Sequence, residues 1–181
     1  MKALILYADG FEDVEAIATR DVLVRSGLEV VDASINENEN VITSHKLHLN
    51  GLKRLSELKL DEFSAIILPG GSHGVNNLLN SSLVLSTVRE FANKDKLVCA
   101  ICAAPMVLAK AELLKNKKFT CYPGCEVGLE GIYTGEVVVV LDKIITARSM
   151  LYSIPFGLAI IEKLLGKETK DKIYKQIAGL R

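Results

Sequence analysis

The sequence has no tryptophan, and its aromatic share is only 6%. That argues against a stacking platform for single-stranded nucleic acid. It also lacks an excess of either charge: Lys plus Arg and Asp plus Glu each total 22, for a formal net charge of zero. Nothing in that balance favours nucleic acid or an anionic membrane as partner. No apolar run reaches the ~18 residues needed to cross a bilayer. No N-terminal signal is visible, because Met1-Lys2 leads directly into the strand-like run Ala3–Tyr7. Linkers, repeats and low-complexity segments are missing too. Histidine is scarce, with only His45, His48 and His73. What remains is a chain of 181 residues, 49% hydrophobic and 24% charged. It suits one domain over residues 1–181 with a substantial core, most simply a cytoplasmic enzyme or binding protein.

The most informative stretch that is present is Leu97–Met106, L-V-C-A-I-C-A-A-P-M. An apolar, β-prone run stops at Cys102. Two small residues and a proline follow, and a helical pattern begins. This is the pattern of a nucleophile elbow, in which a strand turns sharply into a helix and presents one side chain at the apex. Ala103 and Ala104 let the turn close, and Pro105 suits the first helical turn, where its missing N–H costs nothing. A thiol at the positive end of a helix is expected to have its pKa lowered toward thiolate. Cys102 is therefore the candidate nucleophile, against the alternative of a small buried hydrophobe.

The four cysteines, Cys99, Cys102, Cys121 and Cys125, also read as C-x-x-C followed by C-x-x-x-C, close to a four-cysteine zinc pattern. Context opposes this. Cys99 lies inside an apolar strand run, and strand residues three apart point to opposite faces. A thioredoxin-like pair would need both cysteines at a helix start. No metal site is expected, and Cys99 reads as core.

Strands are expected at Lys2–Tyr7, Leu28–Ile35, Ala65–Leu68, Leu97–Ile101 and Phe119–Tyr122. An edge hairpin is expected from Val41–Ser44 and Lys46–Leu49, and a second hairpin from Gly135–Leu141 and Lys143–Ala147. Helices are expected at Glu12–Ser26, at about Gly74–Lys94 with a break near Asn80-Ser81, and at Pro105–Leu114, Pro155–Leu165 and Lys167–Ala178. In the first helix, Val14, Ile17, Ala18, Val22 and Leu23 form the apolar stripe. The central strands are continuous Val, Ile and Leu runs, which argues for a mostly parallel α/β sheet covered by helices on both faces. Ligands in such sheets sit beyond the carboxyl ends of the strands. The loop Asp9–Glu15, Pro69-Gly70-Gly71 and the elbow all fall there.

Glu15 stands near the start of the first helix, on a flank from which it could point inward. Burial and a neighbouring thiolate would push such a carboxyl toward its protonated form, able to donate to sulfur or to shuttle a proton. Glu12 and Asp13 read as ordinary acids of a helix N-terminus. Gly70-Gly71 is a turn in any case. It is compatible with an oxyanion hole made by the Gly71 and Ala103 N–H groups beside the thiol. His73 follows the glycine pair closely, but a Cys–His dyad is poorly supported, and with it a conventional cysteine protease.

Together these residues resemble the ThiJ/PfpI superfamily, and within it the parkinsonism-associated deglycase branch and its small bacterial relatives. The resemblance is carried by A-D-G-F-E-D-V-E-A and D-V-L-V-R-S-G within residues 8–27 and by L-P-G-G at 68–71. It continues through A-I-C-A-A-P at 100–105, I-I-T-A-R at 144–148 and F-G-L-A-I-I-E at 156–162. It implies a flavodoxin-like three-layer sandwich and a homodimer. It makes Cys102 the reactive, easily oxidised cysteine, Glu15 its protonated partner, and Gly71 and Ala103 the backbone donors. Arg25 matches an arginine placed near the dimer-related active site. Two departures stand out. Tyr122 stands where several members carry a histidine, which leaves Glu15, Tyr122, His73 or a water as the base. Ser149-Met150-Leu151-Tyr152 replaces the usual G-P-G-T loop. Ala103, rather than a histidine, follows Cys102, which disfavours peptidase activity.

The resemblance implies a cofactor-free, glyoxalase III or deglycase-like enzyme acting on methylglyoxal or another small 2-oxoaldehyde, or on a glycated adduct, in carbonyl and oxidative stress defence. The alternatives are a redox-sensing or chaperone-like protein using an oxidisable Cys102, and a role in thiazole monophosphate biosynthesis.

Overall fold

The structure, a computed structural model, describes residues 1–180. The single-domain span expected over 1–181 includes Arg181, which lies outside the described residues. The chain runs Lys2–Tyr7 (β1), Asp13–Arg25 (α1), Glu29–Ser34 (β2), Val41–Ile42 (β3), His48–Leu49 (β4), Lys53–Arg54 (β5) and Ala65–Leu68 (β6). It continues Ser72–Asn80 (α2), Ser82–Asn93 (α3), Leu97–Ile101 (β7), Pro105–Lys110 (α4), Lys118–Phe119 (β8), Ile132–Tyr133 (β9) and Val138–Val140 (β10). Ile144–Ala147 (β11), Ser153–Leu165 (α5) and Lys167–Ile177 (α6) complete it.

The central sheet has the order β10-β11-β7-β6-β1-β2-β5. All its pairings are parallel except β10 with β11. Period-two alternation splits β1 between two cores. Leu4 and Leu6 face α2, α3 and α4, whereas Ala3, Ile5 and Tyr7 face α1, α5 and α6. Both faces are covered, which is why the central strands read as unbroken apolar runs. The fold is a flavodoxin-like three-layer sandwich. Its strands β7, β6 and β1 are neighbours, so the loops leaving their carboxyl ends meet at one place.

Several local expectations are refined. The helical stretch breaks at Ser81, whose hydroxyl accepts the Val84 N–H at 3.2 Å and caps α3. The 41–49 hairpin forms, but as a separate two-stranded sheet; the edge of the main sheet is β5, paired parallel to β2. Likewise β8 pairs only with β9, outside the central sheet. The helix after the elbow is short, because Glu112 takes a left-handed φ of 65° and closes the turn onto Ala109.

The largest correction concerns α1. Its buried residues are Glu15, Ala16, Thr19, Val22 and Leu23. Val14 and Ile17, expected in the core, are 44% and 40% exposed. The helix is rotated so that a carboxyl points inward and an apolar strip points out.

Candidate active site

Cys102 sits one residue beyond β7 with φ 62°, a left-handed conformation that costs a β-substituted residue of order 1–3 kcal/mol. The surroundings hold it there. Its N–H donates to the Ala147 carbonyl at 2.9 Å, and its own carbonyl accepts the Tyr122 N–H at 2.8 Å. The next turn closes through the Ala104 N–H on the Ile101 carbonyl at 3.0 Å. The expected strand-to-helix elbow is thus present, with the thiol half-buried at its apex.

Glu15 reaches the same place from the first turn of α1. The Glu12 carboxylate caps that turn by accepting the Glu15 N–H at 2.7 Å. The Glu15 side chain is only 1% exposed. Its Oε2 accepts the Gly70 N–H at 2.8 Å, and Oε1 is buried with no nitrogen or oxygen partner among the described residues. The Glu15 carboxyl and the Cys102 side chain close on each other across Gly70. Burial pushes the Glu15 carboxyl up to about 7, against the pull of the thiol and the Gly70 N–H.

The thiol itself moves opposite to expectation. Burial, then the charge of Glu15, push the Cys102 thiol well above its ordinary range, and the Ala103 N–H only partly offsets them. The six-residue α4 presents too small a dipole to win against a buried carboxylate. The pair therefore shares protons, and a thiolate forms when Glu15 takes the proton.

Gly70 is the residue the sequence reading left as a plain turn. A β-carbon there would lie 2.5 Å from Glu15 Oε2 and 2.7 Å from Cys102 Cβ. Only glycine lets carboxyl and thiol close on each other. Gly70→Ala is expected to cost about 1–3 kcal/mol by overpacking and to separate the pair; urea unfolding and thiol alkylation rates would check both effects. The signal was available in L-P-G-G, where one glycine follows another at a strand end.

Gly71 has φ 92° and begins α2. Among the described residues, neither its N–H nor that of Ala103 donates to a backbone carbonyl. Both residues line a cavity of about 530 Å³ with Cys102, Tyr122 and Cys125. Tyr122 is 51% exposed at the cavity's edge. Two expected accessories do not line this cavity within a single chain. His73 is exposed, packs over Gly10 and lines a different hollow with Thr43 and Ser44. Arg25 is at the far end of α1, ~15 Å along the helix from Glu15, where its Nε donates to Asp21 at 2.6 Å. Ser149-Met150-Leu151-Tyr152 does not line the cavity. The four cysteines do not gather as metal ligands. Among the described residues, only Glu12, Asp13 and His45 come together as metal-ligating types, with ligand atoms within 4.8 Å of one another.

The DJ-1/PfpI family pattern matches residues 1–163. The chain belongs to the DJ-1/PfpI family. Among curated DJ-1 relatives, it is 36% identical over 176 residues to protein dj-1beta of Drosophila melanogaster, covering 96% of this chain and 94% of that one. It is 28% identical to the Parkinson disease protein 7 homolog of Danio rerio, covering 95% of this chain and 94% of the relative. The crystal structure of Drosophila DJ-1beta superposes with a TM-score of 0.93 at 35% identity, covering 98% and 97% of the two chains. Oxidised DJ-1 of Toxoplasma gondii superposes with a TM-score of 0.89 at 32% identity, covering 98% and 97%. Among the described residues no helix is long and apolar enough to cross a membrane.

Proposed function

We propose that this protein is a cofactor-free glyoxalase or deglycase acting on methylglyoxal or its adducts, in carbonyl and oxidative stress defence in the cytoplasm. The observation that carries the reading is the Glu15–Cys102 pair closed over Gly70, with Cys102 lining a cavity beside Gly71 and Ala103, whose N–H groups donate to no backbone carbonyl. Cys102 sulfur bonds to the aldehyde carbon as its proton passes to Glu15. The oxyanion is held by the Gly71 and Ala103 N–H groups. Glu15 returns that proton to the hemithioacetal oxygen and, again a carboxylate, moves a proton from the former aldehyde carbon to its neighbour. The resulting lactyl thioester is hydrolysed to lactate and free thiol.

Purified protein is expected to convert methylglyoxal to lactate without glutathione or added metal, followed by proton NMR. The active pair holds one proton. With the Glu15 carboxyl near pH 7, kcat/KM is expected to rise with pH up to about 7 and then level. No lactate, or a pH-flat rate, would remove the proposal.

A homodimer belongs to the same reading. Val14, Ile17 and Val24 on α1 and Met150, Leu151 and Ile154 around the start of α5 are exposed apolar residues on two helices that pack together. Ile17→Glu is expected to shift size-exclusion light scattering from dimer to monomer with the helical circular dichroism retained.

A second reading is redox sensing through peroxide oxidation of Cys102, favoured by the buried, unpartnered Oε1 of the carboxyl that closes on Cys102 across Gly70. Oxygen addition spread over all four cysteines would count against it.

A further inference from the structure

Cys125 has no part in the chemistry above, yet it lines the same cavity as Cys102. Tyr122-Pro123-Gly124-Cys125 is a tight turn, closed by the Cys125 N–H on the Tyr122 carbonyl at 2.9 Å. Pro123 at its second position and Gly124 at its third, with φ 95°, are what a type II turn requires. Tyr122 is itself hydrogen-bonded to the Cys102 carbonyl at 2.8 Å. Two backbone bonds therefore fold Cys125 back toward the elbow, and a Cys125 thiolate would repel a Cys102 thiolate across the cavity. The other cysteines are placed differently. Cys99 is fully buried within β7. Cys121 is fully buried in the core, with its thiol directed at Glu126 Oε2, 4.0 Å away.

We propose that Cys125 is a resolving cysteine, which captures hydroperoxide-oxidised Cys102 as a Cys102–Cys125 disulfide. The inference rests on the redox reading of Cys102 and assigns its end product. In the first step the Cys102 thiolate attacks the terminal peroxide oxygen. An S–O bond forms and the O–O bond breaks. The alkoxide or hydroxide leaves with the proton held by Glu15. Cys102 is oxidised by two electrons, and the hydroperoxide is reduced to an alcohol or water. In the second step the Cys125 thiolate attacks the sulfenic sulfur. An S–S bond forms, the S–O bond breaks, and hydroxide leaves as water. The disulfide competes with further oxidation to sulfinate, and a dithiol reductant restores both thiols.

The test is a few molar equivalents of hydrogen peroxide per chain, enough to supply the two oxygens of a sulfinate, followed by an alkylating quench and peptide-mapped mass spectrometry. The wild type is expected to lose two hydrogens, with the Cys102 and Cys125 peptides cross-linked and the link reversed by dithiothreitol. Cys125→Ser is expected to gain two oxygens on Cys102 instead. A wild type that carries sulfinate on Cys102 with Cys125 still alkylatable overturns the inference and leaves the redox reading intact. A link from Cys121 to Cys125 overturns it as well. A Cys102 untouched by peroxide overturns both. The wild-type product decides the matter even if the variant folds poorly.

Discussion

Cys102→Ser is expected to lower methylglyoxal turnover by ~10³-fold or more while leaving the fold intact. Serine has nearly the shape of cysteine and can take the same elbow backbone, so the hydrogen bonds to Ala147 and Tyr122 remain available. What changes is the proton. The Glu15 carboxyl sits near 7, close enough to accept a proton from a thiol as the carbon–sulfur bond forms. A hydroxyl is a far weaker acid, and nothing at the cavity compensates. The check is initial-rate lactate formation at saturating methylglyoxal, with urea unfolding of both proteins in parallel. Unfolding free energies within about 1 kcal/mol and a rate lost by three orders of magnitude would place the loss in the chemistry. A variant that keeps a tenth or more of the rate would move the nucleophile away from Cys102.

Where a segment's fate depended on its own residues, it could be read in advance. The runs of β1, β6 and β7 are apolar on both faces because both faces are covered, and Cys102 is marked by the abrupt change from strand to small residues to proline. Glu15 was legible as a carboxyl near the strand ends. The direction in which α1 faces was not. Its outward strip of Val14, Ile17 and Val24 is as apolar as a core stripe, so periodicity placed Val14 and Ile17 in the core together with Val22 and Leu23, of which only the last two are there. The thiol pKa was misjudged because it depends on a carboxylate remote in sequence and on burial, which outweigh a short helix. The role of Gly70 emerges only when β1, β6 and β7 lie side by side, bringing Glu15 and Cys102 over it from either side of it in the sequence. Cys125 was visible as a cysteine, but its approach to Cys102 depends on a turn and a hydrogen bond across the loop.

Glu15→Gln is expected to trade activity for stability, and the two effects have one cause. In the unfolded chain this carboxyl titrates at about 4.5. In the folded protein burial raises it to about 7. Between those values the folded state holds a proton that the unfolded state has released, so stability falls as pH rises through that window. Across the full window the loss is about 3 kcal/mol, fully present above pH 7 and absent below pH 4. Glutamine cannot ionise. Its amide oxygen can still accept the Gly70 N–H, and its amide nitrogen faces the thiol. The variant is therefore expected to be more stable than the wild type at pH 8 by up to about 3 kcal/mol, with the difference closing toward pH 4. Urea titrations at pH 4, 6 and 8 would read this directly. With no group left to carry the proton, turnover is expected to fall ~10²–10⁴-fold, and the rise of kcat/KM toward pH 7 should vanish. Equal stabilities at pH 8 would mean that the carboxyl is not held against its preference for water, and the proton-sharing account of the site would fail with it.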